Sequence, residues 1–334
     1  MSTAVTPTNA CNQRARTTRW ARALTLLPTL SLATACATSQ GQTQAKEPSL
    51  REHLRRWKST GIPMEEGWLK AGKRTGRWSF YDQKGNLLRS GHYKSGNMEG
   101  TWRYWYRGDT NQLKSEYHYK NGRLHGKRMG WYKNGQLHLR SELRHGVRHG
   151  VTEAFRNDGR LWSRTHFSRG KRDGPSEKVD RFGIRRTGLY KANLKHGPWT
   201  IEDASNKNVI AREEWLHGKQ HGEQIEYWSN GEKRVLETRR RGVRHGLYTR
   251  WDEPGLVVQS GYYIDGEKTG KWTSNFPGTE SPSAINHFSR GVPDGIQEHY
   301  REDPHSLHER TVITKGELRQ VTRFSADGSI LESP

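Results

Sequence analysis

Histidines spaced four residues apart are the first candidates for chemistry in this 334-residue chain. His145 and His149 form one such pair, and His217 and His221 form another. On a helix this spacing places two imidazoles on one face, where they can hold zinc. Histidine also recurs directly before a repeated glycine, at His125, His149, His196, His221 and His245. This recurrence indicates a repeated structural position, so we expect no metal site, although stacked histidines would make the surface charge depend on pH.

Two short motifs are similar to those of serine β-lactamases. Ser168-xx-Lys171 has the spacing of a nucleophile and its base, and Lys268-Thr269-Gly270 matches a second element of those enzymes. Both lie in phase with the repeat described below, and the chain has no Ser-Asp-Asn element. The sequence also has no phosphate-binding loop and no dinucleotide-binding fingerprint. We therefore expect no catalytic residue, no cofactor and no enzyme activity.

Basic residues recur in the three-residue slots between glycines that are four positions apart. Four acids lie in these slots: Glu99, Asp173, Glu267 and Asp294. Ten Lys or Arg residues lie there: Lys73, Arg74, Arg123, Arg148, Lys171, Arg172, Lys195, Lys219, Arg244 and Lys268. We expect them to line one edge of the molecule, where a row of positive charge attracts anionic headgroups or polyanions. The alternative is that they are solvated turn residues that only aid solubility.

The same glycine pairs define a repeat of about 24 residues, which is the length of a small structural module. The second glycine of each pair falls at Gly76, Gly100, Gly126, Gly150, Gly174, Gly197, Gly222, Gly246, Gly270 and Gly295. A weaker eleventh unit begins at Gly316. The regular spacing predicts about ten units over residues 67–320.

Each unit has the features of a β-hairpin. Asn134-Gly135 and Asp158-Gly159 are typical of tight turns, which require positive φ. The flanking segments, such as residues 102–106, are rich in strand-forming aromatic residues. We predict a strand, a tight turn, a second strand and a glycine-bearing connection in each unit. The fold class is then all-β, an elongated array of antiparallel hairpins in a single twisted sheet.

The composition fits such an array better than an enzyme with a thick aliphatic core. Hydrophobic residues make up 31% of the chain, yet it contains 13 Trp and 13 Tyr. Stacked hairpins can share an aromatic core, whereas one hairpin alone is only marginally stable. Lys and Arg number 57 against 35 Asp and Glu, a net charge of +22. Nucleic acid suits so basic a chain, but we expect none because the N-terminus predicts export.

The N-terminus resembles a bacterial lipoprotein signal. Four arginines precede an uncharged stretch at residues 23–35, which is shorter than the roughly 20 residues that span a bilayer. Cys36 follows directly, at the position that lipoproteins acylate after cleavage, although Ala33 stands where leucine is usual. We predict a signal segment at 1–35 and a lipid-anchored tether at 36–49. Ordinary secretion into the periplasm or medium, or retention in the cytoplasm, is the alternative.

The remaining segments are predicted to close the ends of the sheet. Residues 50–66 form an N-terminal cap, and residues 321–334 form a C-terminal cap or tail. Exposed strand edges invite aggregation, so a repeat sheet needs such ends.

The repeat resembles the MORN repeat in its bacterial variant form, most clearly at residues 122–137 and 218–236. The shared pattern is Gly-xxx-Gly-x-Trp-xx-Tyr-xxx-Gly-x-Leu. The resemblance implies hairpin arrays that bind phospholipid or protein, and some bacterial variants are antitoxins of the YwqK type. We expect a non-catalytic scaffold of the cell envelope, lipid-anchored in the membrane, that contacts anionic lipid, lipopolysaccharide or an envelope protein. The alternative is an antitoxin-like or immunity protein that masks a toxin by direct contact.

Overall fold

The fold is all-β, as the repeat predicted. A computed structural model describes residues 48–108 and 111–332. These residues form one open antiparallel sheet of 25 strands, and no helix occurs among them. Cys36, the predicted signal segment and nearly all of the predicted tether lie outside the described residues.

The strands are mostly eight or nine residues long. Their bounds are β1 Leu50–Arg56, β2 Pro63–Lys70, β3 Lys73–Tyr81, β4 Leu87–Lys94, β5 Asn97–Trp105, β6 Leu113–Lys120, β7 Arg123–Trp131, β8 Leu137–Arg144, β9 Val147–Phe155, β10 Leu161–Ser168, β11 Lys171–Val179, β12 Ile184–Lys191, β13 Leu194–Asp203, β14 Val209–Leu216, β15 Lys219–Tyr227, β16 Lys233–Arg240, β17 Val243–Trp251, β18 Val257–Ile264, β19 Glu267–Asn275, β20 Pro282–Ser289, β21 Val292–Pro293, β22 Gly295–Tyr300, β23 Leu307–Thr314, β24 Glu317–Phe324 and β25 Ile330–Glu332.

Strands pair with their neighbours in sequence from one end of the sheet to the other. β1 pairs with β2 through Leu50↔Lys70, and β24 pairs with β25 through Phe324↔Ile330. β20 pairs with both β21 and β22, which together occupy one strand position. The two predicted caps contain β1 and β25, so the sheet continues into both segments. Every pairing is local in sequence, which is why the repeat alone specifies the topology.

Two kinds of turn alternate along the chain, and the tighter kind lies at the first glycine of each Gly-xxx-Gly pair. In Ser95-Gly96 and ten equivalent dipeptides, both residues have positive φ, as two-residue type I′ turns require. The segments predicted as connections are therefore hairpin turns themselves. At Asn134-Gly135 only the glycine has positive φ, and Tyr132 N–H donates to Gln136 O across a wider loop.

These two kinds of turn define two long edges of the sheet. We call the edge with the eleven two-residue turns the turn edge, and the edge with the wider loops the loop edge. Asp82 shapes the wide loop between β3 and β4, since its carboxylate accepts from the N–H groups of Lys84 and Asn86, both at 2.9 Å. Tyr132 joins this edge to the next unit by donating its hydroxyl to Phe155 O at 2.9 Å.

One face of the sheet buries tryptophan against glycine, and we call it the aromatic face. Trp102 is 0% exposed, and its ring covers Gly91 on the preceding strand. A Cβ atom at Gly91 would lie 2.3–2.5 Å from three ring atoms of Trp102. The same arrangement joins Gly67 to Trp78, Gly188 to Trp199 and Gly261 to Trp272. In all four pairs the glycine precedes the tryptophan by eleven residues, so the backbone itself forms the floor under each ring.

The buried rings also supply hydrogen-bond donors. The Trp102 indole N–H donates to His92 O at 3.0 Å, a carbonyl ten residues earlier. Where other units lack tryptophan, Gln224 and Gln297 occupy its position and donate to carbonyls at the same separation, at 3.0 and 2.9 Å. In these six units, the side chain at this position satisfies a carbonyl next to the bulge in the preceding strand.

The opposite face carries a ladder of ion pairs across its middle. Glu153 is 7% exposed and accepts hydrogen bonds from Arg140 Nε at 2.7 Å and Arg164 Nε at 2.9 Å. The ladder continues through Glu177 and Arg185 to Glu202. Burial by itself raises the pKa of the Glu153 carboxyl, but the two arginines outweigh it and hold that pKa below its ordinary value of 4.5.

Candidate functional site

The turn edge is a continuous row of stacked turns. The N–H of Gly96 donates to Arg74 O at 2.8 Å, and the N–H of Gly122 donates to Met98 O at 2.9 Å. The same bond joins each later turn to the unit before it, up to Gly316 N–H and Pro293 O at 3.0 Å. Side chains next to these turns are therefore held at a fixed spacing of two strands, roughly 10 Å.

All ten predicted slot residues lie on this edge, within two positions of a turn glycine or of Asn193 in the sixth unit. They do not share a face, because successive residues of a strand point to opposite sides of the sheet. Six occupy the second slot position and lie on the aromatic face: Arg74, Arg148, Arg172, Lys195, Arg244 and Lys268. Four occupy the first slot position and lie on the opposite face: Lys73, Arg123, Lys171 and Lys219.

The six slot cations on the aromatic face pack on rings. Arg74 lies 4.4 Å from the centroid of Trp78, Arg172 lies 4.0 Å from Tyr190, and Lys268 lies 4.4 Å from Trp272. The other three pack in the same way: Arg148 on Phe167, Lys195 on Trp199 and Arg244 on Tyr263. Cation–π contacts of this kind stabilise the fold by about 0.5–2 kcal/mol each.

Three of these six cations also form ion pairs with carboxylates. Arg74 contacts Glu65 at 2.8 Å, Lys195 contacts Glu213 at 3.2 Å, and Arg244 contacts Glu237 at 2.8 Å. Rings cover all six cations and carboxylates pair with three of them, so this set is a poor candidate for contact with a partner.

The four cations on the opposite face are different. Lys73, Arg123, Lys171 and Lys219 are exposed, and none contacts a carboxylate within residues 48–108 and 111–332. The register places further basic residues beside them, since Lys70 pairs with Lys73 and Lys120 pairs with Arg123 across their turns. This face of the turn edge therefore gathers more positive charge than the slots alone contain.

We call the resulting surface the cationic strip. It comprises Lys70, Lys73, Lys94, Lys120, Arg123, Arg144, Lys171, Lys191, Lys219 and Arg240, all of them exposed. Six of these residues lie outside the slots and were not predicted, because they precede the turn rather than follow it. The signal was present in the sequence: the residue two positions before the turn glycine, or before Asn193, is basic in six of the first eight units.

Aliphatic side chains alternate with the cations in the strip. Val147, Leu194 and Val243 follow the fourth, sixth and eighth turns and are 44%, 46% and 46% exposed. Each packs against the next turn glycine, as Val147 does against Gly170, where a Cβ would lie 2.9 Å from Cγ1. The positions that flank the first eight turns contain no Asp or Glu. The strip ends where Asp265 pairs with Arg240 at 2.7 Å and Glu267 follows the ninth turn.

Histidines also lie along the turn edge. His145 and His217 lie in turns, whereas His149 and His221 lie in strands. The His125 and His145 rings are 5.1 Å apart, and the His196 and His217 rings are 5.3 Å apart. Among the residues that the structure describes, no three His, Cys, Asp or Glu side chains are placed to hold a metal ion.

The described residues contain no helix long and apolar enough to cross a membrane.

The fold defines a class, a repeat scaffold made of sequential antiparallel hairpins. Residues 74–95 match the family model of the MORN repeat variant, and this span runs from β3 through β4 to the turn at Ser95. The match supports a MORN-repeat protein, and the structure repeats the same hairpin on both sides of the matched unit. No curated protein matches the chain.

Proposed function

We propose that this protein is a non-catalytic scaffold of the cell envelope, anchored by a lipid on Cys36, whose cationic strip contacts an anionic surface. Anionic lipid or lipopolysaccharide supplies such a surface, as does an acidic envelope protein. The single observation that carries the proposal is the strip itself, ten exposed cations along one edge with no acid in the flanking positions of eight units. Basic residues close to an anionic membrane each contribute about 1 kcal/mol of attraction.

The arrangement of the strip supports contact with a surface better than simple solvation does. Stacked turns hold the charges in a row, so that many can face one flat partner together. Aliphatic side chains lie between them, and amphipathic surfaces that bind at membrane interfaces combine the same two kinds of residue. Solvated turns need neither the alternation nor the exclusion of acids.

Neutralising the strip is the direct test. We expect K73Q/R123Q/K171Q/K219Q to bind vesicles of phosphatidylcholine and phosphatidylglycerol at least about tenfold more weakly than the parent chain, because four unpaired charges are lost. Sedimentation of protein with vesicles measures this binding, and added salt should weaken the binding of the parent chain steeply.

The chain offers a matched control on the loop edge. The variant K84Q/K133Q/K207Q/K233Q removes the same net charge from exposed lysines at or beside the wide loops. It should keep most of the binding. An equal loss of vesicle binding in the two variants would show that binding depends only on net charge. Unchanged vesicle binding by the strip variant would refute the proposed contact.

The anchor is tested separately by fatty-acid labelling in a bacterial host. We expect C36A to abolish incorporation of labelled palmitate and to move the protein from the membrane to the soluble fraction. Cys11 is the only other cysteine and serves as the control, since C11A should be labelled like the parent chain. Label retained in C36A would refute the anchor, and a cytosolic location of the parent chain would favour the antitoxin-like alternative.

A further inference from the structure

A groove of about 930 Å³ lies on the aromatic face of the first three units, on the other side of the sheet from the cationic strip. Its cause is a break in the tryptophan pattern. The third unit has Arg128 at the position of the buried tryptophan and Tyr117 at the position of the glycine beneath it. Arg128 replaces the indole at this position, and Tyr104, Trp105 and the largely buried Phe80, which is 8% exposed, line the groove beside it.

The groove carries an excess of positive charge. The guanidinium of Arg89 lies 4.2 Å from the ring centroid of Phe80, and that of Arg128 lies 5.5 Å from Tyr117. Neither arginine contacts a carboxylate in the part of the chain that the structure describes. Among the lining residues that the structure describes, Glu65 is the one acid, and its two oxygens already contact Arg74 at 2.8 Å and His53 at 3.2 Å.

Aromatic rings and hydroxyl groups complete the lining. Tyr104 and Tyr117 meet edge to face with their centroids 5.3 Å apart. Burial raises the pKa of the Tyr104 hydroxyl, and a hydrogen bond with Tyr119 adds to the rise. Tyr104 therefore stays protonated at any physiological pH. It presents an aromatic ring and a neutral hydroxyl group next to cationic side chains.

A second groove on the same face shows that the charge excess is not a general property of the repeat. The groove in the seventh and eighth units is about 320 Å³ and is lined by Arg212, Arg239 and Arg244. Three glutamates accompany these arginines: Glu213, Glu226 and Glu237. Glu237 alone contacts both Arg239 and Arg244. Within residues 48–108 and 111–332, no comparable set of acids accompanies the cations that line the first groove.

We propose that the first groove binds an acidic saccharide. Sugar rings have apolar C–H faces that pack on aromatic rings such as those of Tyr104 and Tyr117, and their hydroxyls suit the tyrosine hydroxyl groups. The carboxylate or phosphate of the sugar contacts Arg89 and Arg128, whose forked N–H donors match such anions. The volume lies in the range of sites for small ligands. This inference is independent of the cationic strip, because it concerns the other face.

Titration calorimetry with the full chain tests the inference. Trigalacturonate probes a sugar carboxylate, glucose 6-phosphate probes a sugar phosphate, and neutral maltotriose is the control ligand. We expect at least one of the two anionic sugars to bind and maltotriose not to bind. We expect R89Q/R128Q to weaken that binding by about tenfold or more, because two charge-assisted hydrogen-bonding groups are lost.

A control variant separates the groove from net charge. R77Q/K127Q removes two exposed cations that directly precede Trp78 and Arg128, on the opposite face of the same strands. It should bind like the parent chain, and the urea midpoints of both variants should show that they are folded. The inference is overturned if neither anionic sugar binds, if maltotriose binds equally well, or if the two variants lose binding equally.

Discussion

Replacing Gly91 by threonine is expected to lower the free energy of unfolding by about 3 kcal/mol or more. The new Cβ would lie 2.3–2.5 Å from three ring atoms of Trp102, a side chain with no exposed surface. The ring cannot move outward without leaving its place between Tyr93 and Phe80, whose centroids lie 4.9 and 6.2 Å from it. Urea unfolding followed by circular dichroism measures the effect.

A double-mutant cycle identifies the collision as the cause. Removing the ring with W102S should itself cost about 3–5 kcal/mol, because a large buried side chain is lost. The double variant G91T/W102S reproduces Thr165 and Ser176, which occupy the same two positions in the fifth unit and bond at 3.0 Å. We expect the free energy of unfolding of the double variant to fall by clearly less than the sum of the decreases in the two single variants.

Gly130 provides the matched control for that cycle. A Cβ atom at Gly130 would meet no atom closer than 3.8 Å, so G130A should change the urea midpoint little. Two results would show that backbone entropy, rather than contact with the ring, causes the loss of stability in G91T. One is additive stability losses in the cycle, and the other is a stability loss in G130A as large as that in G91T.

Replacing Glu153 by glutamine is expected to lower the free energy of unfolding at pH 7 by about 1–3 kcal/mol. The carboxylate is buried and joins Arg140 to Arg164, and a neutral amide cannot form both charge-assisted bonds. Both arginines are about half exposed, so water solvates them when the partner is lost and the cost stays below that of a fully buried pair.

The loss of folding stability in E153Q should be largest above pH 4.5 and should shrink in acid. Because the folded-state pKa of Glu153 lies below its ordinary value of 4.5, its contribution is fully present above pH 4.5. The contribution declines as the pH falls through the folded-state pKa. Urea midpoints of the parent chain and E153Q should therefore converge in acid. As a control, E226Q removes an exposed glutamate 3.9 Å from Arg234 and should have little effect at either pH. A difference in urea midpoint between the parent chain and E153Q that persists unchanged in acid would contradict a stabilising role for the ionised Glu153 carboxylate.

Much of the fold could be predicted from spacing. A glycine pair every 24 residues, with aromatic residues in phase, predicted the all-β array of hairpins because each strand pairs only with its neighbours in sequence. The kind of turn at each glycine was harder to predict from the sequence. Asn134-Gly135 has the composition of a two-residue turn, but Tyr132 and Gln136 close a wider loop around it, whereas the tight turns form at dipeptides such as Ala71-Gly72.

The sequence by itself determined the repeat, the strand order and the edge on which the basic slots lie. Tertiary structure decided how those charges divide. Strand alternation places Arg74 on the ring of Trp78 and Lys73 on the other side, while cross-strand register adds Lys70 to the exposed set. The tertiary structure also shows why Gly91 precedes Trp102 by eleven residues, since a bulge brings the ring directly over the glycine. The physical reason is that a repeat specifies local pairing, whereas the contacts of a side chain depend on which face and which neighbouring strand the register gives it.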